Sequence, residues 1–264
     1  MNMTRIGALR PASAALFVAV LMLCGCTTTT ISGTAFKADR QAEVERRVEA
    51  ATAYLEKGNT EQAVVHLRRA LELDPQSAPV HSALAQVFWR TGEYELATEH
   101  FRRAIAADPK FSRARNNFAA FLYERGDTHG AIRELEQVVA DTLYESRATA
   151  FANLGRAYSK VGETARAEEM LQRSLKMDAR QWPALLELAF IEHDRGNNLA
   201  ATRYYEQFRA TAPGQQSPRS LLLGVRLARG TGDRDAEASY ALQLRNLYPE
   251  SAEYREYADT LSGN

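Results

Sequence analysis

Along most of the chain, apolar residues recur at three- and four-residue intervals in stretches broken by glycine or by Asp-Pro, which is the period of a helix face and not of a strand. The breaks are regular. Glycine falls at 58, 92, 126, 162, 196 and 232, at spacings of 34, 34, 36, 34 and 36 residues. Setting each glycine at position 15 of a 34-residue unit brings Ala63, Ala97, Ala131, Ala167 and Ala201 to position 20, and Ala51, Ala85, Ala119, Gly155 and Ala189 to position 8. Two helices approach closely only where the facing side chains are small, so these columns predict a first and a second helix crossing as an antiparallel hairpin in each unit.

Large residues flank the small columns: Tyr54, Phe88, Leu122 and Tyr158 at position 11, and Leu67, Phe101, Leu135, Leu171 and Tyr205 at position 24. They are the predicted core of each hairpin. Glycine at position 15 suits the left-handed conformation that closes a helix, and Asp-Pro at 74–75 and 108–109 ends the second helix because proline cannot continue it. This period is that of the tetratricopeptide repeat. The expected fold is all-α, a solenoid of about six helix-turn-helix repeats wound as a right-handed superhelix. The later units depart from the pattern: "DTLYESRA" (141–148) accounts for one two-residue expansion, Glu192 stands at position 11 of the fifth unit, and Gly224, Val225 and Glu237 blur the register of the sixth. The last unit reads as a degenerate cap.

Ahead of the repeats the pattern changes character. Residues 1–10 hold Arg5 and Arg10 with no acid, and residues 11–23 (PASAALFVAVLML) are apolar apart from one serine. That is the layout of an export signal, and the run falls short of the roughly 20 apolar residues of a spanning helix. It ends Leu23-Cys24-Gly25-Cys26, which resembles the lipobox of bacterial lipoproteins and makes Cys26 the acylated new N-terminus. Cys24 would be cut away with the signal. An uncleaved anchor is one alternative, and a strained Cys24–Cys26 disulfide is the other. Thr27 follows the modified cysteine where aspartate does not, and the lipoprotein resemblance then implies transport onward to the outer membrane. The expected organisation is a signal peptide over 1–25, an acylated cysteine with a flexible polar tether over 26–38, and the repeat domain over 39–264.

Composition adds mainly exclusions. The chain of 264 residues has 33 basic and 33 acidic side chains, and removing residues 1–25 leaves 31 basic residues against the same 33 acids. No global field draws nucleic acid, and none is expected as a partner. The histidines His66, His81, His100, His129 and His193 form no HExxH and no Cys/His cluster, so no metal or cofactor is expected. His81 and His100 lie in different helices of one unit and could in principle approach each other, although a histidine on a helix surface more often has no special role. No nucleophile elbow, P-loop or dinucleotide fingerprint occurs, and no cysteine stays free once Cys26 is acylated; no catalytic residue is assigned.

A stacked helical repeat instead offers a groove lined by its first helices. Positions 2, 5, 9 and 12 of each unit are expected to face it. They select Gln86 and Trp89 in the second unit, Asn116 and Tyr123 in the third and Arg156 in the fourth, with Arg90 at the edge. Aromatic and arginine side chains are common anchors of interfaces, and Trp89 and Tyr123 share one position a repeat apart. Spacing alone leaves open whether each meets a partner or packs against its neighbour. The lysine and asparagine set of the carboxylate clamp found in chaperone-binding repeats is absent.

Several stretches carry a closer likeness. "GNTEQAVVHLRRALELDP", "NNFAAFLYERG", "DTLYESRATAFANLG" and "RSLLLGVRLARGTGDRDAEASYALQLRNLYPESAEY" resemble the PilF/PilW family of type IV pilus biogenesis lipoproteins over nearly all of the mature chain. The resemblance implies a six-repeat pilotin held by its lipid in the inner leaflet of the outer membrane on the periplasmic face. It also implies the type IV pilus secretin as the partner whose localisation and multimerisation it supports, with the lipoprotein-sorting machinery as carrier. The alternative is a repeat lipoprotein that scaffolds outer-membrane protein assembly or cell-wall enzymes.

Overall fold

The computed structural model describes the backbone of residues 27–262, with side chains from Lys37 to Leu261. Among the described residues there are thirteen helices and no strand. The chain divides into two compact units, Met1–Ala107 and Asp108–Asn264. The first holds α1 (Thr27–Glu56), α2 (Thr60–Leu73), α3 (Ala78–Thr91) and α4 (Tyr94–Ala107). The second holds α5 (Ser112–Glu124), α6 (Thr128–Ala140), α7 (Arg147–Lys160), α8 (Thr164–Met177), α9 (Trp182–Asp194), α10 (Asn198–Thr211), α11 (Pro218–Thr231), α12 (Arg234–Leu247) and α13 (Ala252–Ser262).

The hairpins form as the small columns predict. Ala51 and Ala63 belong to one buried cluster where α1 packs on α2, and all nine alanines of the two columns are fully buried. Gly155 completes the set for a packing reason: a methyl group there would lie 2.6 Å from Leu171 and 3.0 Å from the Ala167 carbonyl. The six turn glycines all have φ between 74° and 89°, which any side chain would oppose. At four of these turns the next residue caps the following helix. Asn59, Asp127, Asn197 and Asp233 each accept a hydrogen bond through the side chain from the backbone N–H three residues on. Glycine thus closes one helix and its neighbour opens the next.

Within the second unit the first helices of successive repeats, α5, α7, α9 and α11, each pack on the next, and α13 covers α11 and α12. In the first unit α1 packs on α3 in the same way. The sixth repeat explains its own blurred register. Gly224 admits the Tyr205 ring, whose hydroxyl would lie 2.4 Å from an added methyl, and Glu237 at the small column pairs with Arg229 at 2.8 Å. An ion pair and a ring therefore replace the small-on-small crossing.

Two boundaries differ from expectation or lie outside what is described. Cys26 and the signal segment precede the described residues. The stretch 27–38, which composition suggests is a flexible tether, is helical backbone continuous with the rest of α1. No proline interrupts it, and a helix anchored at one end extends at the small cost of one residue per added hydrogen bond. Among the side chains described, Lys37 to Gln41 are exposed and Val44 is the first that is buried.

Candidate functional site: the faces of the first helices

In the first unit the predicted groove residues are largely engaged with their own fold. Arg90 donates to the carbonyl oxygen of Leu55 and so ties α3 to the C-terminal end of α1, where the helix dipole favours a cation. Gln86 donates to the Ser82 carbonyl one turn back at 3.4 Å. Trp89 is half-buried on the same face.

In the second unit, Tyr123 and Arg156 come together. The guanidinium of Arg156 lies 5.4 Å from the Tyr123 ring centre and Lys160 Nζ lies 4.3 Å from it, so two cations of one repeat rest on the aromatic of the repeat before. Tyr123 therefore packs against its neighbour and, half-buried, still contributes to the surface. Asn116 also lies on this face, and its side-chain oxygen is sheltered without a hydrogen-bond partner.

Sequence reasoning missed what stands next to Arg156. A cleft of about 340 Å³ is walled by Trp182, Leu186, Glu187 and Phe190 of α9, by Arg219 of α11 and by the linker residues 214–217. Leu186, Phe190 and Arg219 occupy positions 5, 9 and 2 of their units, the same register that selects Arg156, so the signal was present in the sequence. The guanidinium carbon of Arg219 lies 3.7 Å from the Phe190 ring centre, and the group is 3.6 Å from the Glu187 carboxylate. Glu187 is buried and accepts from Ser159 Oγ at 2.6 Å. Its charge is thereby compensated, as a buried carboxylate requires. Arg156, by contrast, has no carboxylate within ion-pair distance among the described residues, and its other recorded contact is the Tyr123 ring.

His81 and His100 do meet, with Nδ1 to Nδ1 3.0 Å apart. His81 Nε2 lies 3.0 Å from the Pro75 carbonyl, which can only accept. His81 therefore carries its proton on Nε2, and His100 donates from Nδ1 to the bare Nδ1 of His81. Burial is the main cause that lowers both pKa values; for His100, the neighbouring His81 and Arg103 push further, to about 4. The pair reads as neutral structural histidines. Among the described residues no group of three or more His, Cys, Asp or Glu side chains is arranged to hold a metal, and no helix is long and apolar enough to cross a membrane.

Comparison with known proteins agrees with this architecture. Family models described as TPR repeat and tetratricopeptide repeat match residues 51–92, 78–111 and 150–181. The type IV pilus assembly protein PilF of Pseudomonas aeruginosa is 40% identical over 247 residues, which cover 93% of this chain and 97% of that protein. The solved structure of Pseudomonas aeruginosa PilF superposes with a TM-score of 0.78 at 41% identity, covering 84% of this chain and 99% of the other. That of PilW, described as a widely conserved type IV pilus biogenesis factor, superposes with a TM-score of 0.70 at 26% identity, covering 81% and 98%. An identity of 40% with near-complete coverage in both directions means that this chain belongs to the PilF/PilW family of tetratricopeptide-repeat proteins of type IV pilus biogenesis.

Proposed function

We propose that this protein is a pilotin: an outer-membrane lipoprotein that binds the secretin subunit of the type IV pilus through its repeats and promotes its localisation and multimerisation in the outer membrane. The observation that carries this reading is the 40% identity, over nearly the whole length of both chains, to a protein named for type IV pilus assembly. The chemistry is consistent with it. The surface offers cations, aromatics and a cleft, which hold a partner, whereas His81 and His100 are engaged with one another. Acylation at Cys26 would hold this surface on a membrane, because each buried methylene contributes about 0.8 kcal/mol to membrane binding, and Thr27 in place of aspartate would direct it to the outer membrane. The lipoprotein-sorting machinery would carry lipid, repeats and bound secretin together.

The test separates anchor from adaptor. Cys26→Ala is expected to leave the repeats folded by circular dichroism while outer-membrane secretin multimers and pilus-dependent motility are lost. Normal secretin multimers in that mutant would overturn the reading. Affinity capture of the wild-type protein from solubilised membranes should recover secretin as the main partner.

A further inference from the structure

The cleft beside Arg156 has a feature that the repeat does not require. Four residues, 178–181, join α8 to α9, whereas six, 212–217, join α10 to α11, and residues 214–217 form one wall of the cleft. The two extra residues are those that stretch the Gly196–Gly232 spacing to 36. The other walls are mixed: Arg156, Glu187 and Arg219 are polar, and between them Trp182 and Leu186 are half-buried, leaving an apolar part of the lining. Such a cavity is at the small end of ligand sites and suits one or two side chains.

Charge then decides what kind of segment fits. Arg219 has an acid already facing it, Glu187 at 3.6 Å, and lies over Phe190, while Glu187 in turn is held by Ser159. Arg156 is left as a half-exposed guanidinium without a carboxylate, and Lys160 adds a second cation on the same aromatic ring. A guanidinium presents a planar fork of donors that matches a carboxylate. Resting on the proposed adaptor role, we propose that this cleft takes an extended segment of the partner protein, with an apolar side chain entering between Trp182, Leu186 and Phe190 and an adjacent Asp or Glu pairing with Arg156. Specificity in this arrangement comes from the acid, and the cleft supplies apolar contact.

The experiment uses the full acylated chain in detergent and two fluorescein-labelled peptides, GSGLFDSGSG and GSGLFKSGSG, titrated by fluorescence anisotropy. The wild type is expected to bind the Asp peptide at least tenfold more tightly than the Lys peptide. Arg156→Lys should keep that order and Arg156→Glu should reverse it, with thermal melts showing all three folded. Equal binding of the two peptides by the wild type, or an Asp preference that survives Arg156→Glu, would overturn the proposal. So would a dimer in sedimentation that Arg156→Glu dissociates, because the occupant would then be a second copy of this chain. Secretin capture without peptide discrimination sinks the cleft assignment alone. Peptide discrimination without secretin capture supports the cleft and sinks the pilotin reading.

Discussion

The two compact units are built from one repeat and use it differently. In the first, the junction 74–77 between α2 and α3 has the regular length, and the polar residues on the first-helix face are tied inward, Arg90 to the Leu55 carbonyl and Gln86 to the Ser82 carbonyl. In the second, two junctions are expanded, 141–146 and 212–217. One is knitted into the fold by Asp141, which accepts from Ser112 Oγ at 2.6 Å and from the Leu143 N–H at 3.0 Å. The other borders a cleft, and Arg156 stands beside it without an acid. Equivalent repeat positions are therefore not equivalent in chemistry. What a groove position can offer a partner depends on whether its own fold has already used its polar atoms.

The largest test of this contrast is in the cores. Phe101 and Phe208 are both fully buried, one in each unit, and truncation of either to alanine should remove about 3–5 kcal/mol. Differential scanning calorimetry is expected to show Phe101→Ala lowering the stability of the first unit and Phe208→Ala that of the second. A single transition lowered equally by both would mean that the two units unfold as one.

A smaller effect is specific to the first unit. His100 has its pKa lowered from 6.5 to about 4. Between those values the unfolded chain binds more protons than the folded one. The contribution of the neutral pair is thus complete above about pH 6.5 and is lost as pH falls toward 4. Its size is on the order of 2 kcal/mol once partial exposure is discounted. The groups facing the pair are Pro75, Asp74, Glu99 and Arg103. Urea denaturation at pH 7 and pH 5 should show this slope in the wild type and a flatter one in His100→Gln.

The smallest effect sharpens the comparison most directly. Arg90→Ala removes a hydrogen bond to a helix-end carbonyl and should destabilise by about 1 kcal/mol. Arg156→Ala removes no ion pair and should change stability by less than about 0.5 kcal/mol. Chemical denaturation of the two variants checks this. A larger loss at Arg156 would show that it is a strut like Arg90.

Much of the fold was legible in the residue pattern because each repeat solves its own packing problem locally. The turn glycines, the small columns of the first five units and the large residues at position 24 occupy their expected places, whereas Tyr54, Phe88 and Leu122 at position 11 are only partly buried, and the contact of His81 with His100 realises what the shared unit merely allowed. The candidate site was legible only in part. Arg156 and Tyr123 were selected by register, yet the same register applied to the fifth and sixth units selects Leu186, Phe190 and Arg219, whose joint role needed the second expanded junction to be placed.

Sequence by itself determined the helix-turn-helix units and the residues that cross at their centres, because helix period, glycine conformation and side-chain size act over a few neighbouring positions. It also determined membership in the pilus biogenesis family through motifs that the bare repeat does not demand. Tertiary structure alone decided which polar groups remained unspent. Ion pairs and hydrogen bonds join residues a repeat apart, as Glu187 joins Ser159 and Arg219, and their formation depends on distances between packed helices that no local pattern encodes.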